Sequence, residues 1–294
     1  MDGGMGGELK AMGAPFKKPE WSALALMEAP ETVTQAHLAF VNAGAEILIT
    51  NTYAIVPFHI GQERFDKDAA TLTRDAAKIA RHVADGATHN VKVAGSLPPA
   101  FGSYRPDLFD AKKSKAIYTP LIEQQKNFID FWLAETMSST AEAKLLADMT
   151  KDTGKNGGKD FWLAYSLTDD VTPNQPATLR SGESIEQAIE TALEINADAL
   201  LFNCSQPEVM GAALQIVQKS NITIPYGVYA NTFPPKKPEY FANDPESDVQ
   251  MREDITPEEY LRYAQEWVAL GATIIGGCCG IGPDHIAKLA KLND

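Results

Sequence analysis

Three cysteines are the residues of this chain whose type and placement point most directly to chemistry. Cys204 ends a short apolar run, and Cys278 and Cys279 stand side by side at the end of another, 74 residues further along. Thiolates that converge on one point bind soft metal ions such as zinc, and three protein ligands with one open position are typical of catalytic zinc sites. Glycines flank the adjacent pair and give the backbone the freedom that such a turn needs.

A zinc ion held by three thiolates carries a net negative charge and is a good host for a fourth thiol. A thiol substrate bound at the open position would lose its proton and stay nucleophilic near neutral pH. Two other interpretations of the same residues stay open at this point. A buried cysteine also behaves as a small hydrophobe, and the adjacent pair could serve a redox reaction.

The composition bounds the class of protein. The chain has 294 residues, 44% hydrophobic and 22% charged, which is enough to bury a core without disulfides. With 39 acidic and 26 basic side chains the net charge is −13, which argues against nucleic acids and anionic membranes as partners. Few cysteines, no apolar stretch long enough to span a membrane and no signal-peptide pattern lead us to expect a cytoplasmic protein.

Short apolar runs alternate with longer amphipathic segments along the whole chain. Nearly continuous apolarity over five to eight residues is typical of parallel strands that are covered on both faces. The predicted strands are 46–51, 91–96, 128–135, 160–167, 199–204, 226–231 and 272–279. Helices are predicted from Pro30 to Gly44, over Asp68–Ala84 and Thr140–Met149, and from Ser181, Pro207, Thr256 and Pro283.

This alternation predicts one α/β domain over residues 1–294, with the architecture of a (β/α)₈ TIM barrel. The seven predicted strands leave one of the eight to be assigned, and it would be the N-terminal segment that ends at Asp2, ahead of the others in the chain. A doubly wound open sheet is the alternative, although no GxGxxG motif stands between a strand and a helix. Two loops, 97–113 and 232–256, are predicted to be insertions.

The residues at the carboxyl ends of the predicted strands test this architecture, because a (β/α)₈ barrel carries its chemistry there. Every cysteine of the chain falls on that set. The set consists of Asn51, Ser96, Glu135, Asn203, Cys204, Asn231, Cys278 and Cys279.

With these motifs the chain resembles the homocysteine S-methyltransferase family, a group of zinc-dependent barrels. The resemblance runs over nearly the whole chain, and the pairing of an NC motif with a later GGCCG motif is its most specific part. The segments that carry it are DGGMGGEL (2–9), Trp21, AGAEILITNTY (43–53), AET (134–136), NCSQPEVM (203–210), VYANT (228–232) and GATIIGGCCGIGPDHI (271–286).

The resemblance implies a role for each matching residue. Cys204, Cys278 and Cys279 would bind zinc, and Asn231 would take the open position of the metal when no substrate is bound. Asp2 and Glu135 would hold the homocysteine amine, which needs carboxylate partners. The backbone N–H groups of Met5 and Gly6 would bind its carboxylate, and Trp21 and Tyr53 would face the onium donor through cation–π contacts.

The implied reaction moves a methyl group from a small onium donor to the thiolate of homocysteine, giving methionine. S-methylmethionine is favoured as the donor over S-adenosylmethionine and betaine. Two loops depart from the family pattern, GSLPPAFGSYRPD (95–107) and SLTDDVTPNQPATLRSG (166–182), and both border the donor side. Another thiol or selenol acceptor, or a zinc-binding barrel without turnover, therefore remains an alternative.

Overall fold

Seven parallel strands form one sheet in which each strand pairs with the next along the chain. The computed structural model describes residues 1–153, 158–169, 176–236, 242–243 and 250–293. The strands are β1 (Ile47–Ile49), β2 (Lys92–Leu97), β3 (Phe131–Met137), β4 (Asp160–Tyr165), β5 (Ala199–Asn203), β6 (Tyr226–Ala230) and β7 (Ile274–Gly277). All seven predicted strands are confirmed. A doubly wound sheet would reverse its strand order at a switch point, so that alternative is wrong.

The two edges of the sheet are close together in space. The Asp2 N–H donates to the carbonyl of Ile47 in β1 at 2.9 Å, and the Gly277 N–H in β7 donates to the carbonyl of Asp2 at 2.9 Å. The Met1 ammonium donates to the carbonyl of Ile275 at 2.7 Å. Seven strands laid flat would hold their edges about 29 Å apart, at about 4.8 Å per strand. The sheet therefore curves until Met1 and Asp2 lie between its edges.

Helices cover the outer face of the sheet, and their buried side chains pack on it in one large cluster. They are α1 (Met5–Ala11), α2 (Ser22–Glu28), α3 (Pro30–Asn42), α4 (Pro57–Ile60), α5 (Gln62–Asp85), α6 (Ala111–Gln125), α7 (Thr140–Thr150), α8 (Ile185–Glu194), α9 (Pro207–Ser220), α10 (Pro257–Ala269) and α11 (Pro283–Leu289). A smaller cluster, which includes Phe131, Leu133, Leu201 and Tyr229, fills the inner face.

The structure corrects the predicted helices in two ways. The helix expected from Ser181 begins at Ile185, because Ser184 caps it by accepting a hydrogen bond from the Gln187 N–H. Helices α1, α2, α4 and α6 were not predicted, since α1 begins in a glycine-rich segment and Pro120 interrupts the pattern of α6. Two predicted loops lie partly outside the described residues. In the loop 166–182 these are residues 170–175, and in the loop 232–256 they are residues 237–241 and 244–249.

In the part of the chain that the structure describes, every helix is too short or too polar to cross a membrane.

A β-bulge in β3 sets the direction of Glu135. The register between β3 and β4 shifts between Ala134 and Met137, and Thr136 has a φ of 60°, which is rare for a β-branched residue. The Asn203 side chain holds this conformation, because its Oδ1 accepts from the Thr136 N–H and its Nδ2 donates to Thr136 Oγ1, both at 2.9 Å. Asn203, at the end of β5, thereby ties Glu135 to the segment that leads to Cys204.

Replacing Asn203 by alanine should lower the free energy of unfolding of the metal-free protein by about 1–3 kcal/mol, because a buried N–H of Thr136 loses its acceptor. Urea denaturation measures this difference. The matched control is Asn90→Ala, an exposed asparagine, which should change the free energy by no more than about 0.5 kcal/mol. An equally small effect of Asn203→Ala would show that the bulge does not need the amide.

Candidate active site

The three cysteine sulfurs meet at the carboxyl ends of the strands. Their Sγ atoms all lie within 4.8 Å of one another, and those of Cys204 and Cys278 are 2.9 Å apart. Three sulfurs on one tetrahedral zinc ion, at about 2.3 Å each, would be about 3.8 Å apart. Cys204, Cys278 and Cys279 are all free thiols. The donor set thus fits a soft metal ion with small adjustments of the side chains.

The backbone at the ends of β5, β6 and β7 forces this convergence. The Cys204 N–H donates to the carbonyl of Tyr229, and the Cys278 N–H donates to that of Ala230, so both cysteines are tied to the central strand β6. Cys204 has a φ of 50°, which turns its side chain towards the glycine-rich end of β7. Gly280 has a φ of 84°, and a Cβ there would collide with Thr232.

Hydrogen bonds single out Cys204 as the most acidic of the three thiols. Thiol donors from Cys278 and Cys279, the Tyr104 hydroxyl at 3.1 Å and the Asn231 side chain together hold the pKa of Cys204 well below its ordinary value. The pKa of Cys278 is raised, because its proton is shared with Cys204. Asn231 therefore lies beside the sulfur of Cys204.

Two buried carboxyl groups, Asp2 and Glu135, lie near the cysteine sulfurs. Asp2 is 2% exposed; its Oδ2 accepts from the Ile49 N–H at 2.9 Å, while its Oδ1 has no hydrogen-bond partner among the described residues. Glu135 is 5% exposed; its Oε1 accepts from the Ser96 hydroxyl at 2.5 Å and its Oε2 from the Tyr229 hydroxyl at 3.5 Å.

Burial raises the pKa of Asp2 to about 7 and that of Glu135 to about 8. The negative charges of Cys204 and Asp2 raise the pKa of Glu135 further, which shows that these groups face one another. Two carboxyl groups with spare acceptor capacity in a buried site are electrostatically complementary to an ammonium ion.

Met5 and Gly6 lie in the first turn of helix α1, whereas the sequence predicts a glycine-rich turn for them. The first N–H groups of a helix have no intrahelical acceptor, so these two amides remain available in the helical form as well. The Gly4 N–H donates to the carbonyl of Ile281 at 2.8 Å, and a Cβ on Gly4 would lie 2.6 Å from the carbonyl oxygen of Cys278. Only glycine lets the start of α1 lie directly on the cysteine turn.

The structure separates the two aromatic residues that were predicted on the donor side. Tyr53 is close to the sulfurs: its hydroxyl pairs with Ser103 at 2.7 Å, and the charges of Cys204 and Glu135 act with burial to raise its pKa. The Trp21 indole N–H instead donates to Asn243 Oδ1 at 3.0 Å, and the Trp21 ring packs edge-on against His59. The His59 ring lies between Trp21 and Tyr53.

Several residues of this region were not among the predicted site residues. Ser96 and Asn203 do stand at predicted strand ends, which is a signal that was available in the sequence. Tyr104 and Arg180 come from the two loops that depart from the family pattern, and periodicity carries no information on how far a loop reaches. The residues that the structure adds are Ser96, Tyr104, Asp169, Arg180, Asn203 and Tyr229.

Comparison with known proteins gives one consistent result. The family model described as homocysteine S-methyltransferase matches residues 1–292. The homocysteine S-methyltransferase of Escherichia coli (strain K12) is 27% identical over 304 residues, which cover 98% of this chain and 93% of the relative. The selenocysteine methyltransferase of Astragalus bisulcatus is 26% identical over 328 residues, covering 99% and 90% respectively.

The solved structures agree with the sequence comparisons. The metallated form of the homocysteine methyltransferase MmuM from Escherichia coli superimposes with a TM-score of 0.78 at 25% sequence identity. The match covers 99% of this chain and 95% of that chain. On the strength of a family model that spans almost its full length, the chain belongs to the homocysteine S-methyltransferase family.

Proposed function

We propose that this protein transfers a methyl group from a small onium donor, with S-methylmethionine favoured, to the sulfur of homocysteine. The observation that carries the proposal is the convergence of three thiols on one point beside two buried carboxyl groups. The thiols suit a soft metal ion and the carboxyl groups suit an ammonium ion, so together they suit an amino acid that bears a thiol. The relatives' names support the same reaction.

The metal would be zinc, held by Cys204, Cys278 and Cys279. The convergence and the spacing of the three sulfurs support this assignment. When bound, a zinc ion with an open position would lower the pKa of a substrate thiol and keep it as a thiolate. Asn231, which lies beside Cys204, is proposed to take that position when no substrate is present.

The chain's own residues would orient the acceptor. Asp2 and Glu135 would bind its ammonium group, with the unpaired Oδ1 of Asp2 as one acceptor. The N–H groups of Met5 and Gly6 would bind its carboxylate. With both ends fixed and the thiol proton released to solvent, the sulfur would attack the donor methyl carbon in line, and the demethylated donor would depart with the electron pair of the broken bond. A general base is not needed, because the sulfur is already deprotonated.

The rest of the assignment is proposed on the same basis. Met1 and Asp2 take the place of a first strand, which closes the sheet into a (β/α)₈ barrel; their hydrogen bonds to both edges support this. Residues 1–294 act as a single domain, as the single sheet suggests. The scarcity of cysteine, three residues in 294, favours a reducing compartment, and hence the cytoplasm.

A selenol such as selenocysteine is a second candidate acceptor. The Astragalus relative, named as a selenocysteine methyltransferase, is about as similar to this chain as the bacterial homocysteine enzyme. Both acceptors present an ammonium group and a soft nucleophile, so the same carboxyl groups and metal would serve either one.

The purified protein should contain about one zinc ion per chain, because the three thiols form a single site. Cys204→Ser and Cys279→Ser should each lose most of that zinc, as measured by elemental analysis and by competition with a chromophoric chelator. Glu135→Gln is the matched control within the same cavity and should retain it. Full zinc content in the cysteine variants would rule out the proposed ligand set.

Glu135→Gln should raise KM for homocysteine about 10- to 150-fold and leave zinc bound, because a charge-assisted hydrogen bond to the amine is lost. The measurement is methionine formation at saturating donor. The substrate 4-mercaptobutyrate, which lacks the amine, provides the control: wild type and variant should use it equally. An equal loss with both acceptors would mean that Glu135 has a structural role only. Glu258→Gln, at an exposed position, should change nothing.

The affinity for methionine should rise as pH increases from 6 to 8. In the empty site the pKa values of Asp2 and Glu135 are about 7 and about 8, so below this range both groups are neutral and must release protons to bind an ammonium ion. For each proton released on binding, the affinity for methionine rises about tenfold per pH unit. Calorimetry measures the dependence, which should be shallower in Glu135→Gln. A constant affinity in the wild type would contradict the proposed amine site.

A further inference from the structure

Two loops meet on one side of the cysteine sulfurs. Tyr104, in the loop after β2, donates its hydroxyl hydrogen to Cys204 Sγ at 3.1 Å and lies close enough to reach the Cys204 carbonyl at 2.9 Å. Arg180, in the segment between β4 and α8, lies over the face of the same ring, with its Cζ 4.4 Å from the ring centroid. The guanidinium group is therefore separated from the sulfur by a single tyrosine side chain.

Asp169 fixes the position of Arg180. Its Oδ2 accepts from Arg180 Nη2 at 2.9 Å and from the Lys236 N–H at 2.8 Å, and its Oδ1 accepts from the Gln206 N–H at 3.3 Å. The carboxylate is 3% exposed and the Arg180 side chain 8% exposed. The guanidinium plane is thus set in place before any ligand arrives.

One donor of this buried cation has no acceptor. Arg180 Nε is buried and has no hydrogen-bond partner among the described residues. Buried polar atoms are nearly always paired, so an unpaired N–H on a charged group that one tyrosine side chain separates from the cysteine sulfurs points to an acceptor that comes with the ligand. A guanidinium group presents its N–H groups as a planar fork that matches a carboxylate.

A second cation lies in the same region. The half-buried Lys236 ammonium lies 4.0 Å from the Phe233 ring centroid, and burial lowers its pKa to about 8, so that it is still mostly charged at neutral pH. Among the described residues of this region, Arg180 and Lys236 are positively charged and Asp169 is negatively charged. The groups around the sulfurs, by contrast, are the thiols, Asp2 and Glu135, which become negative when they ionise. A zwitterion with its cationic end at the sulfurs matches this arrangement.

We infer that Arg180 binds the carboxylate of the methyl donor and thereby selects carboxylated onium compounds over plain cations. The inference rests on the proposed methyl transfer. Homocysteine also carries a carboxylate, but the charge of Arg180 acts on Tyr104 and Lys236, whereas the charges that act on Glu135 in the amine pocket are those of Cys204 and Asp2. The donor side is therefore the better match, and Arg180 is a specificity-determining residue.

The test compares S-methylmethionine with its carboxamide, which has the same size and sulfonium group but no carboxylate charge. With the zinc-loaded full chain and saturating homocysteine, the wild type should prefer the carboxylate by about 10- to 150-fold in kcat/KM. Arg180→Met should reduce this preference to about threefold or less, through a loss on the carboxylate donor alone. Arg180→Lys keeps the positive charge but not the planar guanidinium group, so its preference for the carboxylate should lie between those of the wild type and Arg180→Met.

Turnover of the carboxamide and zinc content are the controls for folding, and both should be unchanged in Arg180→Met. The double variant Asp169→Asn, Arg180→Met removes both charges and should show the same loss of preference. An equal slowing of both donors would mean that Arg180 only supports Tyr104. A rise in KM for homocysteine, with donor preference intact, would assign Arg180 to the acceptor. A preference that survives in Arg180→Met would also overturn the inference.

Binding measurements separate this inference from the proposed function. Calorimetry without homocysteine gives Kd for S-methylmethionine and for its carboxamide, with no reaction taking place. The wild type should bind the carboxylate more tightly by a similar factor, and Arg180→Met should bind the two alike. Tight, Arg180-dependent binding without methionine formation from any donor would refute the methyl transfer and keep the carboxylate site. Equal binding of both compounds by the wild type would refute the site.

Discussion

The approach of two cysteine sulfurs across the end of β6 is the constraint on which the site depends. Cys204 follows β5 and Cys278 follows β7, so their strands are separated by two strand spacings, or about 9.6 Å in a flat sheet. Their sulfurs nevertheless lie 2.9 Å apart. The curvature of the sheet, the positive φ of Cys204 and the glycine-rich turn after β7 together close this gap.

The second constraint is electrostatic. Three thiols and two buried carboxyl groups lie close together, and they cannot all ionise there without cations. In the absence of ligands, burial raises the pKa values of Asp2 and Glu135, so that both carboxyl groups tend to stay protonated. The thiols share protons through hydrogen bonds to one another. A metal ion and a substrate ammonium group would replace those protons. The same crowding that keeps most of these groups protonated in the empty site thus suits a cationic metal and a cationic amino group.

The sequence predicted the strands and the residues at their ends well, and it predicted the loop residues and the contacts between strands poorly. The run at 199–204 predicted both β5 (Ala199–Asn203) and the position of Cys204, because apolar periodicity and strand ends are local properties. The strand at 128–135 was placed too early, since the bulge at Thr136 depends on the side chain of Asn203, 67 residues away. Helix α6 was not predicted because it contains an internal proline. Tyr104 and Arg180 were not predicted as site residues because the path of a loop depends on tertiary contacts.

The site is therefore built in two layers that differ in how freely they can vary. Strand ends and the segment Met1–Asp2 hold the sulfurs and the two carboxyl groups proposed to bind the amine, where backbone pairing fixes each position. Loops hold Asp169 and Arg180, on the proposed donor side, and these two residues depend on one another more than on the sheet. Tyr104 joins the layers, because its hydroxyl bonds Cys204 while its ring supports Arg180. Replacing Tyr104 itself would therefore disturb both the hydrogen bond to the Cys204 sulfur and the packing of Arg180.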